Sequence, residues 1–458
     1  MDHPPPPVTP SSGPERRHTR GESLRYGLRA LRYRNYRLLW TGQTFSVTGT
    51  WMQSLALAWL VLTLTDSAIL LALVGAFQFG PTLVFGLVGG LIADRFPKRN
   101  ILVVTQAVMS LLAAVLAVLV VTDVVQLWHV YVIALVSGFA TAVDMPTRQS
   151  FVSELVDKDD LVNAVALNAA LFNAGRVVGP AIAGIILAVS SPAMCFGLNA
   201  LSFIAPISSL LRMRFAAKPV IARSGSNLER LREGLGYVRA TPAILLPIAL
   251  VGFVATFGMN FNVWIPLLAK EELATGAGGF GLLMSSLGVG SLIGALTLAF
   301  RGKKPQRHLM LLAAALLGGL ELILALAGSA GLHLLVAAPL LAGMGFAMST
   351  AMSLANATVQ TITPDALRGR VMSVYMIVFF GTFPIGAMIS GIVSDRAGTP
   401  VSMGVGGSVA ILAALCVWLA SKRVMPTLTT PSAAVGQRHN PRIAGFPLRD
   451  ALAHRRED

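Results

Sequence analysis

The chain has 458 residues, 54% of them hydrophobic and only 12% charged, with a formal net charge of +15. A soluble domain carries roughly a quarter charged residues, and an aqueous fold cannot hide this much apolar surface. The composition therefore indicates a polytopic membrane protein and argues against a soluble enzyme or a nucleic-acid-binding domain.

Residues 1–35 are Pro-rich and then Arg-rich, without the apolar core of a secretory signal, and are expected to form a disordered basic tail. Leu24, Leu28 and Leu31 recur at helical spacing among arginines, which predicts a short helix from Ser23 to Arg37 lying on anionic membrane lipids. Twelve apolar segments follow, at roughly 37–63, 68–93, 101–121, 129–148, 161–188, 193–211, 243–267, 279–300, 308–328, 333–357, 370–393 and 402–421. Each is long enough to cross a bilayer core as a helix. The longest internal loop, 212–242, carries an amphipathic piece from Asn227 to Arg239 and divides the chain into two six-helix halves, 36–211 and 243–421. The tail, 422–458, reads as disordered. Of the 36 lysines and arginines, 33 fall in the tails and inner loops, two (Lys270 and Arg396) in outer loops, and Arg176 lies inside a span. Such an asymmetry places both termini in the cytoplasm. The two cysteines, Cys195 and Cys416, sit inside apolar runs and read as small buried residues. No metal-binding or nucleotide-binding pattern occurs, so no metal and no cofactor are expected.

Chemistry concentrates in a few places. The uncharged run from Ile69 to Ala93 ends abruptly in Asp94, Arg95, Pro97, Lys98 and Arg99, a short basic turn between two membrane helices. Gly86, Gly90 and Asp94 share one helical face, where missing side chains allow close helix approach and the acid wants a partner. Span four ends in Ser137, Thr141, Asp144 and Arg148, also on one face. Asp144 and Arg148 could join Asp94 and Arg95 in a charge cluster that latches one conformation, or form an ordinary interfacial ion pair. Span five holds Gly175, Arg176, Gly179, Pro180 and Gly184. Its glycines and proline permit bending and tight packing, while Arg176 is either a substrate or proton-coupling group or a structural one held by carbonyls and Asn173. Polar stripes run through span one (Gln43, Ser46, Thr50, Gln53) and span ten (Ser349, Ser353, Asn356, Gln360), the latter beside Met344, Met348 and Met352; span seven adds Phe253, Phe257, Asn260 and Trp264. These residues, with Ser137 and Thr141 of span four, are expected to wall a substrate cavity suited to a bulky, partly apolar molecule, with helix–helix hydrogen bonding as the alternative. Glu321, near the middle of span nine, is the acid buried deepest in the sequence and a candidate proton carrier. Weak internal repetition pairs Gly86 and Gly90 with Gly290 and Gly294, and Gly179 and Gly184 with Gly386 and Gly391.

The turn at Gly90, Ala93, Asp94, Arg95, Lys98 and Arg99 resembles the loop signature between the second and third helices of the major facilitator superfamily, with Ile92 and Pro97 as departures. Gly175 to Gly184 resembles the signature of that superfamily's exporters and antiporters, Ala183 replacing one glycine. The text at 144–149, 161–168, 173–184, 196–203 and 368–375 resembles the branch of the enterobactin exporter and macrolide efflux proteins, over about 36 to 421. The resemblance implies twelve helices in two six-helix bundles with pseudo-two-fold symmetry. It also implies a monomer in the inner or plasma membrane that moves a drug, macrolide or siderophore outward by alternating access at the expense of the proton gradient. Spans one, four, seven and ten would line the cavity, span nine would lie at the periphery, and the Asp94 cluster would fasten near the start of span eleven in the outward-open state. Ala134, where many drug/proton antiporters carry an Arg, leaves Arg176 with Asp144 as the substitute proton route. Lipid flipping on the same fold and a non-transporting membrane sensor are the other readings; an intramembrane enzyme is disfavoured because no catalytic set lies within the spans.

Overall fold

The computed structural model describes residues 28–214, 227–301, 306–329 and 333–424. The tails expected to be disordered fall largely outside these residues, as do the middle of the linker and the side chain of Asp94. Among the described residues the protein is all helical. Twelve helices are long and apolar enough to cross a membrane: α1 (Arg34–Thr65), α2 (Ala68–Arg95), α3 (Lys98–Val121), α4 (Leu127–Leu155), α5 (Leu161–Val189), α6 (Pro192–Arg212), α7 (Pro242–Glu272), α8 (Gly276–Arg301), α9 (Arg307–Ser329), α10 (Leu334–Ile362), α11 (Asp365–Ala397) and α12 (Thr399–Val424). Leu111, Val178 and Leu316, well inside their spans, point outward and stand exposed, as lipid contact permits and water does not. Several helices overrun their expected ends. α4 continues to Leu155 rather than stopping at 148, since no breaker follows Pro146 before Val156.

Prolines at 81, 146, 180 and 339 sit inside continuous helices; in a membrane, neighbouring helices compensate the freed backbone groups. α7 departs from the sequence expectation of one unbroken span. Its first segment ends at Phe257 and the second begins at Phe261, with Gly258, Met259 and Asn260 between. α11 is likewise interrupted at Thr382, immediately before a Phe383–Pro384 start where proline's missing N–H costs nothing.

In the first bundle α2 packs on α4, α3 on α6, and α1 on α5 and α6; in the second α8 packs on α10, and α9 and α7 on α12. Glycines set the tightest seams. A Cβ at Gly89 would strike the Ala142 carbonyl and one at Gly138 the Gln78 carbonyl; Gly290 meets Ala342 and Gly345 meets Leu287 in the same way. The matched seams are the internal two-fold repeat. Gly86 and Gly90, expected to receive a neighbouring helix, face open space instead, and Gly89 is the packing glycine. The bundles meet along α5–α8 and α2–α11.

Two peripheral pieces lie against protein rather than lipid. The expected surface helix at 23–37 is, in its described part, a 3-10 turn over Arg29–Arg32 leading into α1. The Ala30 N–H donates to Asn163 Oδ1, the Tyr33 hydroxyl donates to Asp157 and Asp160, and Arg29 and Arg32 pair with Asp160. The acidic turn before α5 thus holds part of what the sequence assigned to a disordered tail. The linker helix Asn227–Ala240 sets Gly234 against the Arg370 backbone, buries Val238 and pairs Glu233 with Arg370, docking on the start of α11.

Candidate functional site

Contact between the bundles is one-sided. The side bearing the 95–99 turn and the linker helix is called the basic side, and its opposite the far side. On the far side Asp395, at the end of α11, accepts hydrogen bonds from the Ser67 hydroxyl (2.7 Å) and the N–H groups of Ala68 (2.6 Å) and Ile69 (3.2 Å). A carboxylate from one bundle therefore caps the N-terminus of α2 in the other, where unpaired N–H groups and the helix dipole favour an anion. Lys270, in the π-helical turn that ends α7, donates to the Leu62 carbonyl (2.6 Å) and pairs with Asp66. A cation from the second bundle so meets the C-terminus of α1. The turn between α1 and α2 is clamped by both charges.

Inward from this gate, a Cβ at Gly391 would meet Ala68, Ile69 and Ala72, and the rings of Phe79 and Phe383 lie 5.5 Å apart. Trp59 stacks on Phe280 at 6.2 Å, Gly281 sits on Gly184, and the Ser285 hydroxyl donates to the Val177 carbonyl. Farther along α8, Gly288 sits on the Arg176 carbonyl, and along α11, Gly381 sits on Leu83. Beyond them Gly86 and Gly90 are open, Gly290 and Gly294 turn to α10, and Val162, Val165 and Phe172 stand exposed. The bundles are shut on the far side and parted by a cleft on the basic side.

The span-five motif packs between α1 and α8. Gly175 and Gly179 receive Val47, Thr48 and Trp51 of α1, while Pro180 and Gly184 abut Gly281 of α8. At the head of the cleft the Arg176 guanidinium lies 5.8 Å from the Trp51 ring centre, and Trp51 meets Phe172 edge-on at 5.4 Å. Among the described residues no carboxylate pairs with Arg176. Asn173, its suggested support, donates to the Ala169 carbonyl.

Several expected cavity residues lie elsewhere. A residue walling an open cleft is accessible, but Gln43, Ser46, Asn260, Trp264 and Met348 are buried. Gly42 and Gly49 of α1 pack on α6, and Asn199 of α6 donates to Gln53 at 2.7 Å. The α1 stripe is thus a helix–helix seam, and only Thr50 remains exposed. The Trp264 indole donates to Ser402 (3.0 Å) and its ring fills the space at Gly406. Met344 and Met352 are buried with Met348, while Ser353, Asn356, Phe257, Ser137 and Thr141 remain half-buried.

The expected latch also divides. Asp144 is buried and accepts four hydrogen bonds: from Thr105 (2.6 Å), Gln106 (2.9 Å) and two nitrogens of Arg148 (2.9 and 2.6 Å). Lys98 pairs with Glu154, and Arg99 donates to the Leu210 and Leu211 carbonyls at the end of α6. All three tie α3 to its own bundle. Arg95 is exposed, and Asp144 engages Arg148 rather than Arg176, so the substitute proton route is not assembled. Glu321 is completely buried, and neither carboxylate oxygen has a partner.

The family of transmembrane secretion effectors matches residues 26–445. This chain belongs to that family of major facilitator transporters. It is 25% identical to the staphyloferrin A transporter of Staphylococcus aureus over 349 residues, covering 76% of this chain and 86% of that protein. It is 23% identical to macrolide efflux protein A of Streptococcus pyogenes over 381 residues (80% and 92%), and 25% identical to the enterobactin exporter EntS of Shigella boydii over 336 residues (73% and 79%). A bacterial homologue of the human lysosomal transporter Spinster, solved inward-facing and unoccupied, superposes with a TM-score of 0.66 at 14% identity, over 87% of this chain and 99% of that one.

The chain is a multi-pass membrane transporter and not an enzyme. Its far-side gate escaped the sequence reading. Asp395 is one acid at the end of an apolar span, and Lys270 served only in the charge count. Nothing local shows that both reach the turn at 66–67. Trp51 and Phe172 were missed as well, although Phe172 precedes Arg176 by one helical turn.

Proposed function

We propose that this transporter exports a bulky, partly apolar small molecule of the drug, macrolide or siderophore kind, by alternating access coupled to proton entry. The observation that carries the reading is the one-sided closure, with α2–α11 and α5–α8 in contact on the far side and parted on the basic side. The positive-inside rule places the basic side in the cytoplasm, so the cleft opens inward and loads from within. At its head Trp51 and Phe172 offer aromatic faces and Arg176 a cation without a carboxylate partner, a combination suited to a molecule bearing both aromatic and anionic groups. The exporter relatives support the direction. The protein acts as a monomer in the plasma membrane, with lipid as its surroundings and the proton gradient as its energy source.

The test is accumulation of a panel of fluorescent drugs, a macrolide and catechol and carboxylate siderophores in inside-out vesicles, with and without a proton gradient. Gradient-dependent accumulation is expected, reduced most for anionic compounds in Arg176→Gln. Equal movement of lipid analogues with no gradient dependence would replace this reading with lipid flipping.

A further inference from the structure

Glu321 lies half-way along α9, wholly buried, with both oxygens unpartnered. Two glycines adjoin it, the one on α12 closely. A Cβ on Gly258 of α7 would lie 3.5 Å from Glu321 Oε1, and one on Gly407 of α12 would lie 3.0 Å from Glu321 Cβ. Gly258 is the first residue of the α7 break. Asn260, at its other edge, is also buried; its amide donates to the Thr256 carbonyl while its Oδ1 lacks a donor. Glu321 thus lies beside the break in α7 with both oxygens short of a donor.

Among the described residues no charge compensates the acid. α9 is packed by α10, α12 and the π-helical end of α7. α10 has no ionisable residue between Leu334 and Ile362, and α12 none before the exposed Cys416 and then Lys422. α7 has none before Lys270, Glu271 and Glu272 at the far side, and Arg307 and His308 lie at the basic end of α9 itself. An isolated carboxylate is untenable in such surroundings. A neutral carboxyl, carrying one O–H, avoids that cost.

We propose that Glu321 is the proton-binding site of the carrier, holding its proton while the cleft faces the basic side and releasing it when the α7 break rearranges and admits water. The inference rests on the proton-coupled reading above and names the group that carries the proton. Coupling then runs through α7. Phe257, at the lip of the break, is half-buried, while Trp264 anchors the second segment to α12. Substrate pressing on the first segment shifts Gly258 away from Glu321, and the proton leaves to the basic side. The ionised form favours the opposite orientation, and reprotonation from the far side returns the carrier.

Two measurements on the full chain in lipid nanodiscs test this without substrate. In the first, dicyclohexylcarbodiimide modifies protonated carboxyls in apolar surroundings, and the modified peptide is identified by mass spectrometry. Glu321 is expected to react, increasingly as pH falls, while Asp144, ion-paired with Arg148, stays unmodified. In the second, spin labels at Val124→Cys and Leu335→Cys, on a Cys416→Ser background, report far-side separation as pH is raised. The wild-type distribution is expected to move toward the far-side-open distance, whereas Glu321→Gln, a neutral isostere, remains closed throughout. An unmodified Glu321, or an unchanged pH response in Glu321→Gln, overturns the proposal. Failure of the vesicle panel would remove the exporter reading but leave both readouts unaffected.

Discussion

The far-side gate gives the sharpest quantitative test. Asp395→Asn keeps the size of the side chain and one acceptor oxygen but removes the charge facing the α2 N-terminus, where Asp395 now accepts three hydrogen bonds. An anion at a helix N-terminus contributes ~0.3–1 kcal/mol when exposed and up to ~2 kcal/mol when partly buried. Asp395 is exposed, so solvent screening argues for about 1 kcal/mol. Because the contact exists only when the far side is shut, all of that loss falls on one conformation. The far-side-open population should rise about fivefold relative to the closed one. The spin-label pair at Val124 and Leu335 measures it, since both positions are exposed on the far side, one in each bundle. The difference between wild type and variant should shrink at 1 M salt, where the Debye length is about 3 Å. An unchanged distance distribution at low salt would refute the reasoning, and a shift insensitive to salt would assign the effect to hydrogen-bond geometry rather than charge.

Three further outcomes are expected. Gly281→Val places a Cβ 2.5 Å from the Gly184 Cα, where only backbone can yield; overpacking of ~1–3 kcal/mol should hold α5 and α8 apart, lengthen the far-side distance and depress export without loss of expression. Asp144→Ala strands half-buried Arg148 and two polar donors on α3. A loss of ~3–5 kcal/mol should lower the thermal midpoint in detergent markedly, Asp144→Asn lowering it less. Trp264→Phe forfeits one hydrogen bond to Ser402, about 1 kcal/mol, and should leave the order of preference among substrates unchanged; an altered order would return Trp264 to the substrate path.

Much of the architecture is local and so legible from the chain alone. Helix length against bilayer thickness, the uncharged run before Asp94 and the one-sided lysines and arginines specify twelve spans and their alternation, because each depends only on neighbours within a span. The glycines and proline of 175–184 announce a close-packed helix for the same reason. Which partner a residue meets is a property of the tertiary structure. The polar stripe of α1 has the same period whether it faces a cleft or α6, and Asn199, 146 residues from Gln53 in the chain, decides it. Trp264 reads equally as a cavity or a core residue until α12 closes over it. Asp395 and the turn at 66–67 lie more than 300 residues apart, and only the antiparallel meeting of α2 with α11 turns one acid at the end of an apolar span into a gate. Glu321 could be read as a buried acid from sequence, but that it lies beside the break in α7 is visible only once α9 and α7 are packed together.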